Sequence, residues 1–467
     1  MTPLKGIRFV VLALASAVGA CTTVGPNYKR PVVTTPDVFR GAPSSTASDA
    51  QSIAETKWAT LFEDEALRDL ITNALQQNFD VRIAATRILQ AQAQLGITRS
   101  NQYPTVDAQA SVQGQRSSVT SSNHEAKTGG VIQLGASVAW ELDFWGKYRR
   151  ATEAARAQLL GSEWGRRAVV SSLVGEVAGG YFTLRALDRE LAIATRTLET
   201  RQESLRLAQV REQGGATSLV DVRQAEQLVY GATAQIVDLK RLIEQQENFL
   251  SVLLGRNPGP IARGRELTEQ PHAPVLPAGL PSALLERRPD VQQAEQGIVS
   301  ANAQVGVAKA AYFPQISLTG AGGLASTALS TLFSGPAGAW TAAASVVQPV
   351  FTAGRTRSQV ALADARRQEA ELAYQQTIHQ AFREVSDALV GYQRSREFRE
   401  AQEQLVRAAQ DARRLADLRY QGGITSYLEV LDSDTRLFSA EIDLVRAQLS
   451  ELGAFVEIYR ALGGGWA

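Results

Sequence analysis

Two hydrophobic periods alternate along the chain. From Thr105 to Gln115 the period is two: Val106, Ala108, Ala110, Val112 and Gly114 share one face, opposite Thr105, Asp107, Gln109, Ser111 and Gln113. After a polar stretch, Ser117 to Gly130, the alternation resumes, with Ile132, Leu134, Ala136, Val138, Trp140, Leu142 and Phe144 opposite Gln133, Ser137, Glu141 and Asp143. Ile316, Leu318, Gly320 and Leu324 make a third run and Trp340, Ala342, Ala344 and Val346 a fourth, ended by Gln348-Pro349. Period-two alternation predicts strands with one apolar face. Strands of ~9–11 residues with aromatics near one end suit a membrane barrel, and a half-buried sheet in a soluble domain is the other reading. Four strands cannot close a barrel, and lipid tolerates no open sheet edge, so a membrane sheet here requires several copies of the chain.

Elsewhere the period is helical. Phe79 to Ser100 predicts a helix ended by Tyr103-Pro104. Between Gly146 and Gln213 there is no proline, and an uninterrupted helix over that stretch would be ~100 Å long, too long for a globular core. Gly354 to Gln421 is its counterpart. Leu184, Leu191, Leu198 and Leu205 recur every seven residues, as do Val222, Val229, Ile236, Ile243 and Leu250, flanked by Ala225, Ala232, Leu239 and Leu253. Leu431, Phe438, Val445, Leu452 and Tyr459 repeat the row, with Ile442, Leu449 and Val456 alongside. Sustained heptads mean coiled-coil packing. Gly214-Gly215 and Gly422-Gly423 then reverse each long helix into an antiparallel neighbour.

The same unit occurs twice. Val210 to Val222 aligns without a gap on Leu418 to Val430, 208 residues later, with seven identities in thirteen positions, among them Gly214/Gly422, Gly215/Gly423, Thr217/Thr425 and Ser218/Ser426. At an offset of 210, Asp80-Val81, Ala93-Gln94, Gly96 and Pro104 answer Asp290-Val291, Ala303-Gln304, Gly306 and Pro314. Paired glycines and prolines at near-constant spacing indicate a duplication.

Composition removes whole classes of function. Lys plus Arg is 48 and Asp plus Glu 47, and removing Lys5 and Arg8 with the first twenty residues leaves 46 against 47. No basic face for nucleic acid follows from that balance. One cysteine and three scattered histidines, His124, His272 and His379, give no basis for a metal or cofactor centre. Gly320 to Ala325 mimics a dinucleotide fingerprint without a β-α-β context, and no other enzyme motif stands out. At the N-terminus, Lys5, Arg8 and the apolar run Phe9 to Val18 read as a secretory signal ending in Val18-Gly19-Ala20-Cys21. Cys21 is the expected lipidation site, and acyl chains at ~0.8 kcal/mol per buried methylene make a firm anchor in outer-membrane lipid.

Taken together, Cys21-Thr-Thr-Val-Gly-Pro-Asn-Tyr28, Leu142-Asp-Phe-Trp-Gly-Lys147, Leu285-Glu-Arg-Arg-Pro-Asp290 and the two Gly-Gly turns resemble the lipoprotein branch of the TolC-type outer membrane factors. The resemblance covers nearly the whole mature chain. It implies a mainly α fold with a membrane β-barrel: a homotrimer with a twelve-stranded barrel, a twelve-helix periplasmic tunnel, and a belt of short helices between Ser52 and Gln77, near Pro281 and near the C-terminus. Its tip would dock on a periplasmic adaptor (a membrane fusion protein) served by an inner-membrane transporter. Glu429 and Asp432, three apart on one helix face, match the family's acidic rings, which favour cations. Asp221 is their counterpart in the first copy, and Tyr420 matches a tyrosine that helps hold the tip shut. Gly214, Gly215, Thr217, Ser218, Gly422, Gly423, Thr425 and Ser426 form the turns expected to meet the adaptor. Some members carry an arginine where this chain has Thr425, so a charged, hydrogen-bonded or hydrophobic closure stays open.

The expected organisation is a signal peptide over 1–20, an acylated extension over 21–57, a first repeat over 58–265, a Pro-rich linker over 266–281 and a second repeat over 282–467. The expected function is a non-enzymatic exit channel for drugs or other small molecules. A lipid-anchored structural or adhesive coiled coil is the rival, and it leaves the strands and the duplication unexplained.

Overall fold

The computed structural model describes residues 23–41, 53–116, 128–270 and 281–466. The signal peptide, Cys21, most of the 117–130 loop and much of the Pro-rich linker lie outside the described residues. The helices are α1 (Trp58–Leu61), α2 (Glu65–Gln77), α3 (Phe79–Ser100), α4 (Lys147–Gln213), α5 (Leu219–Leu253), α6 (Pro281–Arg287), α7 (Pro289–Ala310), α8 (Arg355–Gln421) and α9 (Tyr427–Ala461). The strands are β1 (Thr105–Arg116), β2 (Thr128–Leu142), β3 (Gln315–Ser326) and β4 (Gly338–Val347). The duplication is visible in the lengths: α4 and α8 each have 67 residues, α5 and α9 each 35, α3 and α7 each 22.

The chain divides into two compact units. One comprises Met1–Val32, Arg87–Ser162 and Ala294–Tyr374 and holds the sheet. Its order is β1-β2-β3-β4, every neighbour antiparallel, so each repeat supplies a hairpin and β2 against β3 joins the two. β2 begins at Thr128, inside the polar stretch, because Gly129 and Gly130 pair with Gln115 and Gly114. The dinucleotide-like run Gly320 to Ala325 is strand, not a phosphate loop. Gly323 has a steric cause: a Cβ there would collide with the Leu134 carbonyl oxygen of β2. The apolar positions Val106, Val112, Trp340 and Val346 are exposed, and so is the polar face of β1.

The family-like motifs hold this unit together. Asp143 accepts from the Tyr148 and Arg149 backbone N–H groups at 3.1 and 2.8 Å, satisfying orphan donors in the first turn of α4. Trp145 stacks on Phe313 at 4.8 Å and donates to the Pro314 carbonyl at 2.7 Å. The N-terminal strap is pinned along its length. Buried Arg150 donates to Asn27 at 2.7 Å, Asn302 donates to the Pro26 carbonyl at 2.9 Å, and Tyr28 donates to Glu295 at 2.9 Å.

The second unit comprises Val33–Thr86, Glu163–Gln293 and Gln375–Ala467. The heptad rows are its core: Val222, Val229, Ile243 and Leu250 of α5 and Leu431, Val445, Leu452 and Tyr459 of α9 are buried. The Leu285 to Asp290 motif is an ion-pair knot. Arg288, 6% exposed, meets Asp290 at 2.6 Å and Glu384 at 2.9 Å and donates to the Ala461 carbonyl at 3.1 Å. Burial opposes ionisation of Asp290, yet the adjacent Arg288 holds its carboxyl below the usual range. The short helix expected near the C-terminus is absent among the described residues. α9 runs unbroken to Ala461, through Gly453, and stops only at the glycines at 463–465.

A second polar hub went unforeseen. Asp64, 1% exposed, caps α2 through the Ala66 N–H at 3.0 Å. It also accepts from the Tyr181 hydroxyl at 2.9 Å, the Arg265 N–H at 3.0 Å and Gln270 at 2.9 Å. Asp64→Ala strands those buried donors, and is expected to cost about 3 kcal/mol, with Tyr181→Phe costing about 1 kcal/mol. Thermal unfolding followed by circular dichroism checks both; midpoints at the wild-type value would show the hub to be dispensable.

Candidate functional site at the two helical turns

Both turns close in the same way. Gly215 and Gly423 adopt φ of 73° and 72°, a left-handed conformation that costs glycine little. The Ala216 N–H donates to the Arg211 carbonyl at 2.8 Å, and the Ile424 N–H to the Arg419 carbonyl at 2.9 Å. Gly215 and Gly423 donate to Glu212 and Tyr420 at 2.9 and 3.1 Å, which completes a Schellman closure at each helix end. Gly214, Gly215, Gly422 and Gly423 are all exposed at these turns.

The carboxylates after the turns differ in use. In the first hairpin, Ser218 and Asp221 form a capping box, and Thr217 also donates to Asp221. The Thr217 hydroxyl and the Ser218 N–H, against slight burial, hold the Asp221 carboxyl below its usual value. In the second hairpin Ser426 makes no side-chain cap. Glu429, one methylene longer than Asp221, accepts from Thr425 and lies 3.5 Å from Arg419. Asp432 is exposed and pairs with Arg436 at 2.7 Å, one turn on. Tyr420 packs on Tyr427 with ring centroids 5.2 Å apart, under the Arg211 guanidinium at 4.6 Å.

Behind the turns lies a small apolar cluster of Ala225, Ala416, Tyr427, Val430 and Leu431, with Leu205, Leu228 and Tyr420 against it. Burial pushes the Tyr427 hydroxyl up to about 12. Beside it sits a charge cluster that the sequence reading missed, Asp434 between Arg201 at 2.8 Å and Arg413 at 3.4 Å. Its signal was faint: Asp434 falls between Leu431 and Phe438, and Arg201 between Leu198 and Leu205, beside the apolar rows and not in them.

No helix among the described residues is long and apolar enough to cross a membrane. An antiparallel sheet with exposed apolar positions, in a chain that also has very long helices, fits the class of membrane channels. The sequence profile described as outer membrane efflux protein matches this chain twice, over residues 70–256 and 280–464, and the chain belongs to that family. It is 38% identical to a probable efflux pump outer membrane protein, TtgC of Pseudomonas putida, over 97% of this chain and 94% of that one. It is 33% identical to the cation efflux system protein CusC of Escherichia coli over the whole of both chains. Among solved structures, the open state of the Neisseria gonorrhoeae MtrE outer membrane channel matches with a TM-score of 0.85 at 32% identity, covering 95% of this chain and 99% of that one. The Campylobacter jejuni CmeC outer membrane channel matches with a TM-score of 0.88 at 26% identity, covering 95% of each. The protein is therefore an efflux channel of the outer membrane, and the structural or adhesive coiled coil is set aside.

Asp221→Ala is expected to fray the start of α5 by about 1 kcal/mol, the usual loss with a cap. Because the folded-state carboxyl is held low, this contribution is complete above the ordinary aspartate pKa and is lost as pH falls through the folded value. Hydrogen exchange of the 219–223 amides at neutral pH reads the change; unaltered protection would show that Asp221 does not hold this end.

Proposed function

We propose that three copies of this chain form one continuous duct. β1 of each copy pairs with β4 of the next, closing a twelve-stranded barrel, and the long helices of the three copies build a twelve-helix tunnel through the periplasm. The observation that carries this reading is the sheet itself. Among the described residues β1 and β4 each have only one neighbour, and Val112 and Trp340 on them are 79% and 81% exposed. Open edges are untenable in hydrocarbon, whereas these exposed side chains suit it.

Cys21 carries the acyl anchor in the outer membrane. The two turns, with Thr217, Ser218, Thr425 and Ser426, meet a periplasmic adaptor. Exposed apolar residues at equivalent positions support that role, Val210 and Val220 on one hairpin and Leu418 and Leu428 on the other. An inner-membrane transporter supplies the energy, since a passive duct has no need of its own source. Glu429 and Asp432 ring the narrow end, with Tyr420 packed behind them and Asp221 capping the neighbouring hairpin. Relatives named for toluene, antibiotic and cation efflux are 38%, 38% and 33% identical to this chain. Channels this similar serving such different cargo support a duct that accepts small molecules broadly, drugs among them, with selection made at the pump. The near-neutral chain gives no reason to include nucleic acid among the partners.

Single-channel recording of the purified protein in a planar bilayer tests the pore. The wild type is expected to show a small, cation-preferring conductance that a trivalent cation blocks. Glu429→Ala/Asp432→Ala should lose both the preference and the block. A block that survives in the double variant moves the constriction elsewhere, and absence of any conductance would sink the duct.

A further inference from the structure

Asp434, Arg201 and Arg413 are 9%, 7% and 9% exposed, an unusual burial for three charges. Their contacts reach every long helix of this chain. Arg201 of α4 donates through Nε to Asp434 of α9 at 2.8 Å and through Nη1 to the Leu228 carbonyl of α5 at 3.2 Å. Arg413 of α8 donates to the other Asp434 oxygen at 3.4 Å and lies 2.9 Å from Asp417. The Arg201 guanidinium also stacks over Phe438 of α9 at 5.1 Å. One carboxylate thus ties α9 to both α4 and α8, and through Arg201 to α5.

Two further observations separate this cluster from ordinary core packing. First, the duplication does not repeat it. At the 208-residue offset Asp434 corresponds to Glu226, which pairs with its exposed neighbour Arg223, while Arg413 corresponds to Leu205 and Arg201 to Ala409. The core rows and both turns are kept in the two copies; the clamp exists once. Second, it lies on the helix that carries the gate carboxylates, two residues beyond Asp432 and five beyond Glu429. The intervening Ser433 is buried and donates to the Glu429 carbonyl at 2.8 Å, so this stretch has little freedom to move alone.

We propose that Asp434 is the positioning residue of the periplasmic gate: its clamp on Arg201 and Arg413 fixes the first turns of α9 to the other three long helices, and the tip opens only when that clamp is released. The proposal rests on the reading of Glu429 and Asp432 as the constriction. Opening then requires the second hairpin to part from the first, since Arg201 belongs to the first and Asp434 to the second. A partner that opens the tip must supply a contact that competes for one of these three side chains or draws the hairpins apart.

Single-channel recording of purified trimers in planar bilayers tests it, with heat dissociation of the trimers read in parallel. Asp434→Asn keeps the shape and removes the charge, and is expected to raise open probability roughly tenfold, a modest shift of a two-state equilibrium. Asp434→Glu, which keeps the charge, should stay near the wild type. The charge-free variant Arg201→Gln/Arg413→Gln/Asp434→Asn leaves no unpaired buried ion, and should open as Asp434→Asn does and no further. Trimers of Asp434→Asn with wild-type open probability overturn the clamp. Failure of both Asp434→Asn and the charge-free variant to form trimers assigns the cluster to folding and also overturns it. A silent Asp434→Asn beside an effective Glu429→Ala/Asp432→Ala keeps the gate and removes the clamp. An open Asp434→Asn beside a silent double variant keeps the clamp and moves the constriction.

Discussion

A backbone N–H or C=O in hydrocarbon has no water to turn to, and the cost of leaving one unpaired is several kcal/mol. Most of this chain follows from that constraint. Its sheet has two outer strands, each with a free row of such groups, so a single chain is an incomplete membrane object. The duplication meets the constraint halfway. Each repeat brings a hairpin, and the pairing of Leu142 through Ile132 with Ile316 through Ser326 satisfies the inner edges within the chain. Among the described residues only the β1 and β4 edges are left for other copies, and the proposed threefold closure would pair them.

The duplication also shows where geometry rules and where function does. Both turns keep glycine at the left-handed position, because any other residue there is strained, and both keep helices of 67 and 35 residues. The side chains after the turns are freer to diverge. Both accept from the threonine of their own turn, Thr217 and Thr425, but Asp221 also closes a capping box with Ser218, whereas Glu429 lies 3.5 Å from Arg419. A carboxylate spent on its own helix terminus is poorly placed to face an ion. That difference supports, in the proposed duct, a pore-lining role for the second hairpin.

Much of the fold was legible in the sequence, and what was legible was local. Absence of proline between Gly146 and Gln213 marked a helix that begins at Lys147 and ends at Gln213, and Phe79 to Ser100 is helical as its period implied. Strand periodicity located β1 to β4 to within a few residues. The buried polar knots were not legible, because their partners are far apart in the chain. Asp64 meets Gln270 across 206 residues, and Arg201 meets Asp434 across 233. A charged residue beside an apolar row shows only that something must neutralise it. Which residue does so depends on a packing register that periodicity does not fix. The short C-terminal helix failed for a related reason: a family pattern supplied it, while the sequence has no proline or glycine run before Gly463 to end α9 sooner.

The choice of a charged joint at Asp434 has its own logic. Apolar side chains of similar volume hold helices together at least as well as a buried ion pair, since the pair must first repay its desolvation. They differ in what happens on parting. An apolar joint exposes surface to water at about 25 cal/mol per Å² with nothing recovered, whereas separated charges regain their hydration. The directional contacts of Arg201 with Asp434 and the Leu228 carbonyl also fix one geometry, which interchangeable apolar contacts do more loosely. A joint that is specific when closed and cheap to hydrate when opened suits the opening and closing tip proposed above. The permanent seams of α5 and α9, by contrast, are built from the heptad rows of valine, leucine and isoleucine.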